Sequence, residues 1–167
     1  MAWAGLAGLG FLVGTTAGQA AETGNLSLSG SVAQVLNISV ASTAAANGLD
    51  LSLAQSPVKI ADVVAASNTV SGYTVSVASA NQSGSRCPSS GPCCFSPLTT
   101  STLPFALYRD AVQLSFNGAS ATFVQASARS ASNGDSYGAR VGYDGSGALL
   151  GSATDYSETL TFTIAVN

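Results

Sequence analysis

Few side chains in this sequence are equipped for chemistry. It contains no histidine, which removes the commonest general base, the usual partner of a serine nucleophile and the commonest zinc ligand. Its eight acidic residues are spread singly, most of them among turn-forming neighbours, and only Asp155 and Glu158 stand close together, flanking Tyr156. Glycoside hydrolysis needs two carboxyl groups converging on a cleft, and nothing in the spacing argues for that, so solvated turn residues are expected. Asn133–Gly134–Asp135 and Asp144–Gly145–Ser146–Gly147 each look like part of a calcium loop without its full set of ligands. Turn chemistry accounts for both. The expectation is a non-enzyme with no catalytic residue, metal or cofactor.

Three cysteines, Cys87, Cys93 and Cys94, sit in the stretch RCPSSGPCCF. In an oxidising compartment two of them pair. Cys87 with either Cys93 or Cys94 closes a small loop already bent by Pro88, Gly91 and Pro92. Adjacent cysteines rarely bond to each other because the geometry is strained. One thiol is then left over, as a buried or spare group or as the donor of an intermolecular disulfide. A zinc site of three cysteines without histidine is the weakest alternative.

The pattern most suggestive of function is an interaction strand. In Asn25–Val40, reading NLSLSGSVAQVLNISV, Leu26, Leu28 and Val32 share one parity, with Gly30 where a further apolar side chain is expected. The parity then switches, and Leu36, Ile38 and Val40 carry on after Ala33–Gln34–Val35. Successive side chains of a strand point to opposite faces, so each run reads as a strand with one apolar face. Residues 21–33 form a candidate donor strand, and residues 34–167 a sandwich domain that begins with a core strand at 35–40.

Elements that would position these features follow along the chain. Met1 to about Ala20 reads as a secretory signal, with an apolar stretch at Trp3–Val13 and a small-residue cleavage site at Gly18–Gln19–Ala20, although no Lys or Arg precedes it. No later segment is long and apolar enough to span a membrane. Short strands are expected at Leu49–Leu53, at Val58–Val64 after a turn at Pro57, at Tyr73–Val77, as a hairpin of 103–108 and 112–116, at Ala121–Gln125, at Ala139–Tyr143 and at Tyr156–Val166. Long loops are expected at Asn81–Thr102 and Ser127–Gly138. No segment longer than a few residues has helical periodicity. About nine short strands in 167 residues predict an all-β, Ig-like antiparallel sandwich. Charged residues make up only 8% of the chain against a usual ~25%, which suits an exported all-β protein. With five scattered Lys and Arg residues and a net charge of -3 there is no basic footprint for nucleic acid.

In its layout the chain resembles the exported pilin-like β-sandwiches of bacteria, above all the major subunits of alternative chaperone–usher pili and next the spore-coat-protein-U-like domains. LSLSGSV followed by VLNISV is similar to their donor strand and first core strand. SGYTVSVASAN resembles their central strand and turn, and DYSETLTFTIAVN their closing strand. These pieces cover about a third of the mature chain. The resemblance implies a structural subunit of a pilus or surface fibre, exported through the periplasm to the cell surface. Each subunit's sandwich would lack a strand, lent first by a periplasmic chaperone at an outer-membrane usher and then supplied by the next subunit. Leu26, Leu28 and Val32 would fill pockets, and Gly30 would lie where the acceptor groove is shallow. The chain departs from the pattern in its end, Ala165–Val166–Asn167, which lacks an aromatic residue, and in its three-cysteine loop. The rival reading is a secreted carbohydrate-binding, adhesin-like module using the two long loops, with Phe95 and Tyr137 as their aromatic rings. On the strand reading, Leu28→Asp abolishes assembly and leaves the fold intact, whereas Ile38→Asp unfolds the domain.

Overall fold

A computed structural model of the chain describes residues 24–84, 87, 93–96, 102–146 and 156–167. The expected signal at residues 1–20, the bends at Pro88, Gly91 and Pro92, and residues 147–155 lie outside the described residues. The chain divides into two units, residues 1–32 and 33–167. In the first, residues 24–32 form no strand.

Among its described residues the second unit holds nine strands. They are β1 (Leu36–Ser42), β2 (Ala54–Ser67), β3 (Tyr73–Ser79), β4 (Cys94–Phe95), β5 (Leu103–Arg109), β6 (Val112–Gln113), β7 (Ser120–Ala126), β8 (Asp135–Asp144) and β9 (Leu160–Val166). A 3-10 turn at Ala44–Asn47 and one helical turn, α1 (Ala80–Ser83), complete the described elements. One sheet has the order β1-β2-β8-β5-β4, with β6 folded back on β5, and the other the order β7-β3-β9. Every pairing is antiparallel. The architecture is the all-β sandwich expected from the alternating pattern.

Period-two alternation places the core between the sheets. Tyr73, Val75, Val77 and Ser79 of β3 are buried, while Thr74, Ser76 and Ala78 between them are half-buried. Ala61, Val63 and Ala65 of β2, Leu103, Phe105 and Leu107 of β5, and Ala139, Val141 and Tyr143 of β8 face them from the other sheet's strands. Phe123 of β7 meets the rings of Phe162 and Tyr137 edge-on, with centroids 5.1 and 6.2 Å away. The Tyr73 hydroxyl donates to Asp135 Oδ2 at 2.5 Å and lies 3.1 Å from the Tyr137 hydroxyl. Burial, reinforced by the bond to Asp135, pushes its pKa well above the usual phenol range.

Several local expectations are corrected. Leu49–Leu53 is not a strand but a turn region, held by Asp50 Oδ1, which accepts from Ser52 N at 3.0 Å and Ser52 Oγ at 2.6 Å. Pro57 does not turn the chain. It sits inside β2, where the register with β8 slips between Gln55 and Val58, and an irregularity of this kind admits a residue that has no N–H to donate. The 14-residue β2 is longer than the expected Val58–Val64, and a second register shift against β8 lies at Lys59–Ala61. Strand β8 starts at Asp135, inside the loop expected at Ser127–Gly138, and β9 starts at Leu160 rather than Tyr156. At the turn after β2, Gly72 has φ +86°, and a Cβ there would collide with the carbonyl of Ala126.

Candidate strand-acceptor site

In the constant-type Ig arrangement one sheet runs A-B-E-D and the other C-F-G. Here β1, β2, β8 and β5 stand in the A-B-E-D order, and β3 and β9 take the places of C and F. On its free side β9 has no ladder partner among the described residues, which is where G would lie. Among the described residues β1 pairs only with β2 and is the edge of the opposite sheet. The two edges approach each other with Cα atoms within 8 Å, closer than the ~10 Å that separates packed sheet faces, and no ladder joins them.

Burial marks this side as incompletely covered. In β9 the inward residues Leu160, Phe162 and Ile164 are only half-buried, and Val166 is 38% exposed. In β1 the same holds for Leu36 and Ile38, and Val40 is 46% exposed. A strand with neighbours on both sides behaves differently, as the fully covered Val75 and Val77 of β3 show. The two edges thus border a shallow apolar seam, with main-chain groups that have no ladder partner among the described residues, the kind of edge on which strand addition occurs in proteins generally.

The start of β9 is pinned by polar groups. Glu158 Oε1 accepts from the backbone N–H groups of Ala80 (3.0 Å), Asn81 (3.2 Å) and Thr159 (2.7 Å), and its Oε2 from Ser79 Oγ at 2.6 Å. Asn81 Nδ2 donates to the carbonyls of Ser157 (2.6 Å) and Cys94 (3.0 Å). Cys87 and Cys94 form a disulfide, so one of the two pairings left open by the sequence is realised and β4 is tied to this corner. Cys93 is the free, buried thiol, and burial pushes its pKa up to about 11.

The residues expected to form a donor strand are placed differently. Leu26, Leu28 and Val32 are 83, 87 and 89% exposed, and nothing lies within 4 Å of a Cβ built on Gly30. Three large apolar side chains at strand spacing are therefore displayed to solvent by a segment with no strand partner among the described residues.

The competing sites lose their chemistry on inspection. Phe95, the aromatic of the cysteine loop, is buried with its ring centroid 4.7 Å from Phe105 and 5.7 Å from Tyr143. Tyr137 is packed against Phe123 and bonded to Tyr73, so neither ring is displayed for sugar stacking. Asp135 Oδ1 accepts from Ala131 N at 3.1 Å, closing the turn that contains Gly134. Asp144 Oδ1 accepts from Ser146 Oγ and N at 2.6 and 3.0 Å, which holds its carboxyl below the usual range. Among the described residues no cluster of His, Cys, Asp or Glu is placed to hold a metal, and no helix is long and apolar enough to cross a membrane. Sequence reasoning located β1 and β9 as strands but missed that they lie side by side as two edges along one half-covered apolar seam. Comparison with known proteins finds no matching family model and no matching curated sequence.

Proposed function

We propose that this chain is a non-catalytic structural subunit of a bacterial pilus or surface fibre, exported and polymerised by β-strand donation. The observation that carries the reading is the half-covered apolar seam between β1 and β9, beside which an Ig sandwich would have one more strand. Residues 26–32 of another copy supply that strand. Such a contact is heterologous and does not close on itself, so it builds a filament rather than a dimer. A periplasmic chaperone and an outer-membrane usher are the partners proposed for the stages before assembly. The disulfide is compatible with an exported protein.

Side-chain sizes favour one alignment. The donor positions Leu26, Leu28, Gly30 and Val32 match in number and spacing the inward positions Leu160, Phe162, Ile164 and Val166 of β9. Run antiparallel, the pairs are Leu26 with Val166, Leu28 with Ile164, Gly30 with Phe162 and Val32 with Leu160. The residue without a side chain then faces the largest one, a cross-strand pairing in which the aromatic ring covers the glycine. A parallel alignment sets Leu28 against Phe162 and leaves Gly30 opposite the smaller Ile164. Each buried Leu or Val contributes roughly 1.5–3 kcal/mol before the ordering cost. A strand laddered on both sides spans about 9.6 Å, two spacings of ~4.8 Å, so β1 and β9 part to admit it.

Size chromatography and electron microscopy of the mature protein test the reading. Wild type is expected to give concentration-dependent ladders or fibres, and Leu28→Asp a monomer with an unchanged melting temperature. Fibres that persist in Leu28→Asp, or a wild type that stays monomeric at all concentrations, would sink it.

A further inference from the structure

The register of β1 on β2 continues beyond the last main-chain pair, and side chains carry it. Leu36 is opposite Ser67, which places Val35 opposite Asn68 and Gln34 opposite Thr69. Asn68 N donates to Val35 O at 3.3 Å, as in an ordinary ladder. The return bond goes to the side chain, with Val35 N donating to Asn68 Oδ1 at 2.8 Å. Asn68 Nδ2 then donates to Ala33 O at 2.8 Å, and Gln34 Nε2 to Thr69 Oγ1 at 3.3 Å. The Asn68 amide thus acts as one more peptide group of β2, offering an acceptor and a donor in strand order. It holds residues 33–35 extended along the line of β1. The residue before Asn68, Ser67, is held on the other side, since Ser67 N donates to Ser130 Oγ at 2.9 Å and Ser130 N to Ser67 O at 3.0 Å.

Position in the fold gives this clamp a consequence. Leu36 pairs with Ser67, and Val166 with Tyr73 just across the 68–72 turn, so β1 begins where β9 ends. A donor segment that filled the vacancy beside its own β9 would have to reverse between residues 32 and 36. It would then run parallel to β9, the alignment that fits Gly30 poorly. The reversal must break the bonds to Ala33 O and Val35 N. We infer that Asn68 is a positioning residue that biases the N-terminal segment against completing its own sandwich and towards a second copy of the chain. The inference rests on the strand-donation reading and names what selects between its intramolecular and intermolecular forms.

The test uses full-length wild type, Asn68→Ala, which removes both side-chain bonds, and Gln34→Ala, which removes only the outer one. Each is followed over a range of concentrations by sedimentation and by hydrogen exchange of residues 24–32. In wild type, protection of 24–32 is expected to rise with concentration together with multimers. In Asn68→Ala the multimer fraction at matched concentration falls at least several-fold and a concentration-independent protected population appears, with Gln34→Ala intermediate. Multimer fractions and protection equal to wild type in Asn68→Ala at every concentration would overturn the role of Asn68 and leave strand donation standing. A wild type that never multimerises removes strand donation instead. In that case a protected segment in Asn68→Ala alone still supports the clamp, and an unprotected one refutes it.

Discussion

Strands β3 and β9 are neighbours in one sheet, carry the same alternation of apolar and hydroxyl residues, and differ in what covers them. In β3 the inward side chains Tyr73, Val75 and Val77 are fully buried, whereas in β9 Leu160, Phe162 and Ile164 remain half-open. The difference lies in the neighbours. Among the described residues β3 has ladders on both sides, to β7 and β9, and β9 has one. Apolar patterning thus prepares a strand for burial, but the number of partners decides how much burial it achieves.

Substitutions in the two regions test this contrast. Phe123→Ala, in the closed interior, is expected to cost about 3–5 kcal/mol, read by urea denaturation. Phe162→Ala, whose ring touches Phe123 from the open edge, should cost clearly less in the monomer and more in the assembled state. Equal costs in the monomer would erase the distinction between core and seam. Ile38 is half-buried rather than enclosed, so the expectation that Ile38→Asp unfolds the domain is revised. A carboxylate there can lean to solvent, and the variant should stay folded by circular dichroism, lose about 1–3 kcal/mol and fail to accept a donor strand.

Tyr73→Phe removes the donor to Asp135 while keeping the ring, and a loss of about 1–2 kcal/mol is expected. The effect of pH is nil near neutrality and shows only in alkali. The folded-state pKa of Cys93, about 11, stands above its ordinary 9.0, so the folded form holds the thiol proton more tightly than the unfolded one. Its contribution to stability is full below pH 9 and is lost as pH rises towards 11. Tyr73 and Tyr143, also raised by burial, extend the loss above pH 10. Cys93→Ala should flatten the slope between pH 9 and 11 in melting curves, and in wild type this thiol should react with iodoacetamide only on unfolding.

The pairing of Cys87 shows how far local chemistry reaches. Adjacency ruled against Cys93–Cys94, but the choice between Cys93, just before β4, and Cys94, its first residue, depended on which side chain turns towards Cys87. The thiol of Cys93 is enclosed in the core instead. Likewise, Asn68 in the sequence is an ordinary turn residue before Gly72. Its clamp exists only because Ala33 and Val35 arrive opposite it through the β1–β2 register.

Alternation, turn residues and scarcity of charge were enough to determine a sandwich of short antiparallel strands, since period two and turn preferences are properties of a few neighbouring residues. The strand-like spacing of Leu26, Leu28 and Val32, the gap at Gly30 and the parity switch before Leu36 were equally legible. Strand order was not. That β1 and β9 both become edges, face each other and leave their apolar sides half-covered depends on pairings between residues far apart in the chain. Only the tertiary structure decides those, because a strand carries the same local pattern whether it acquires two neighbours or one.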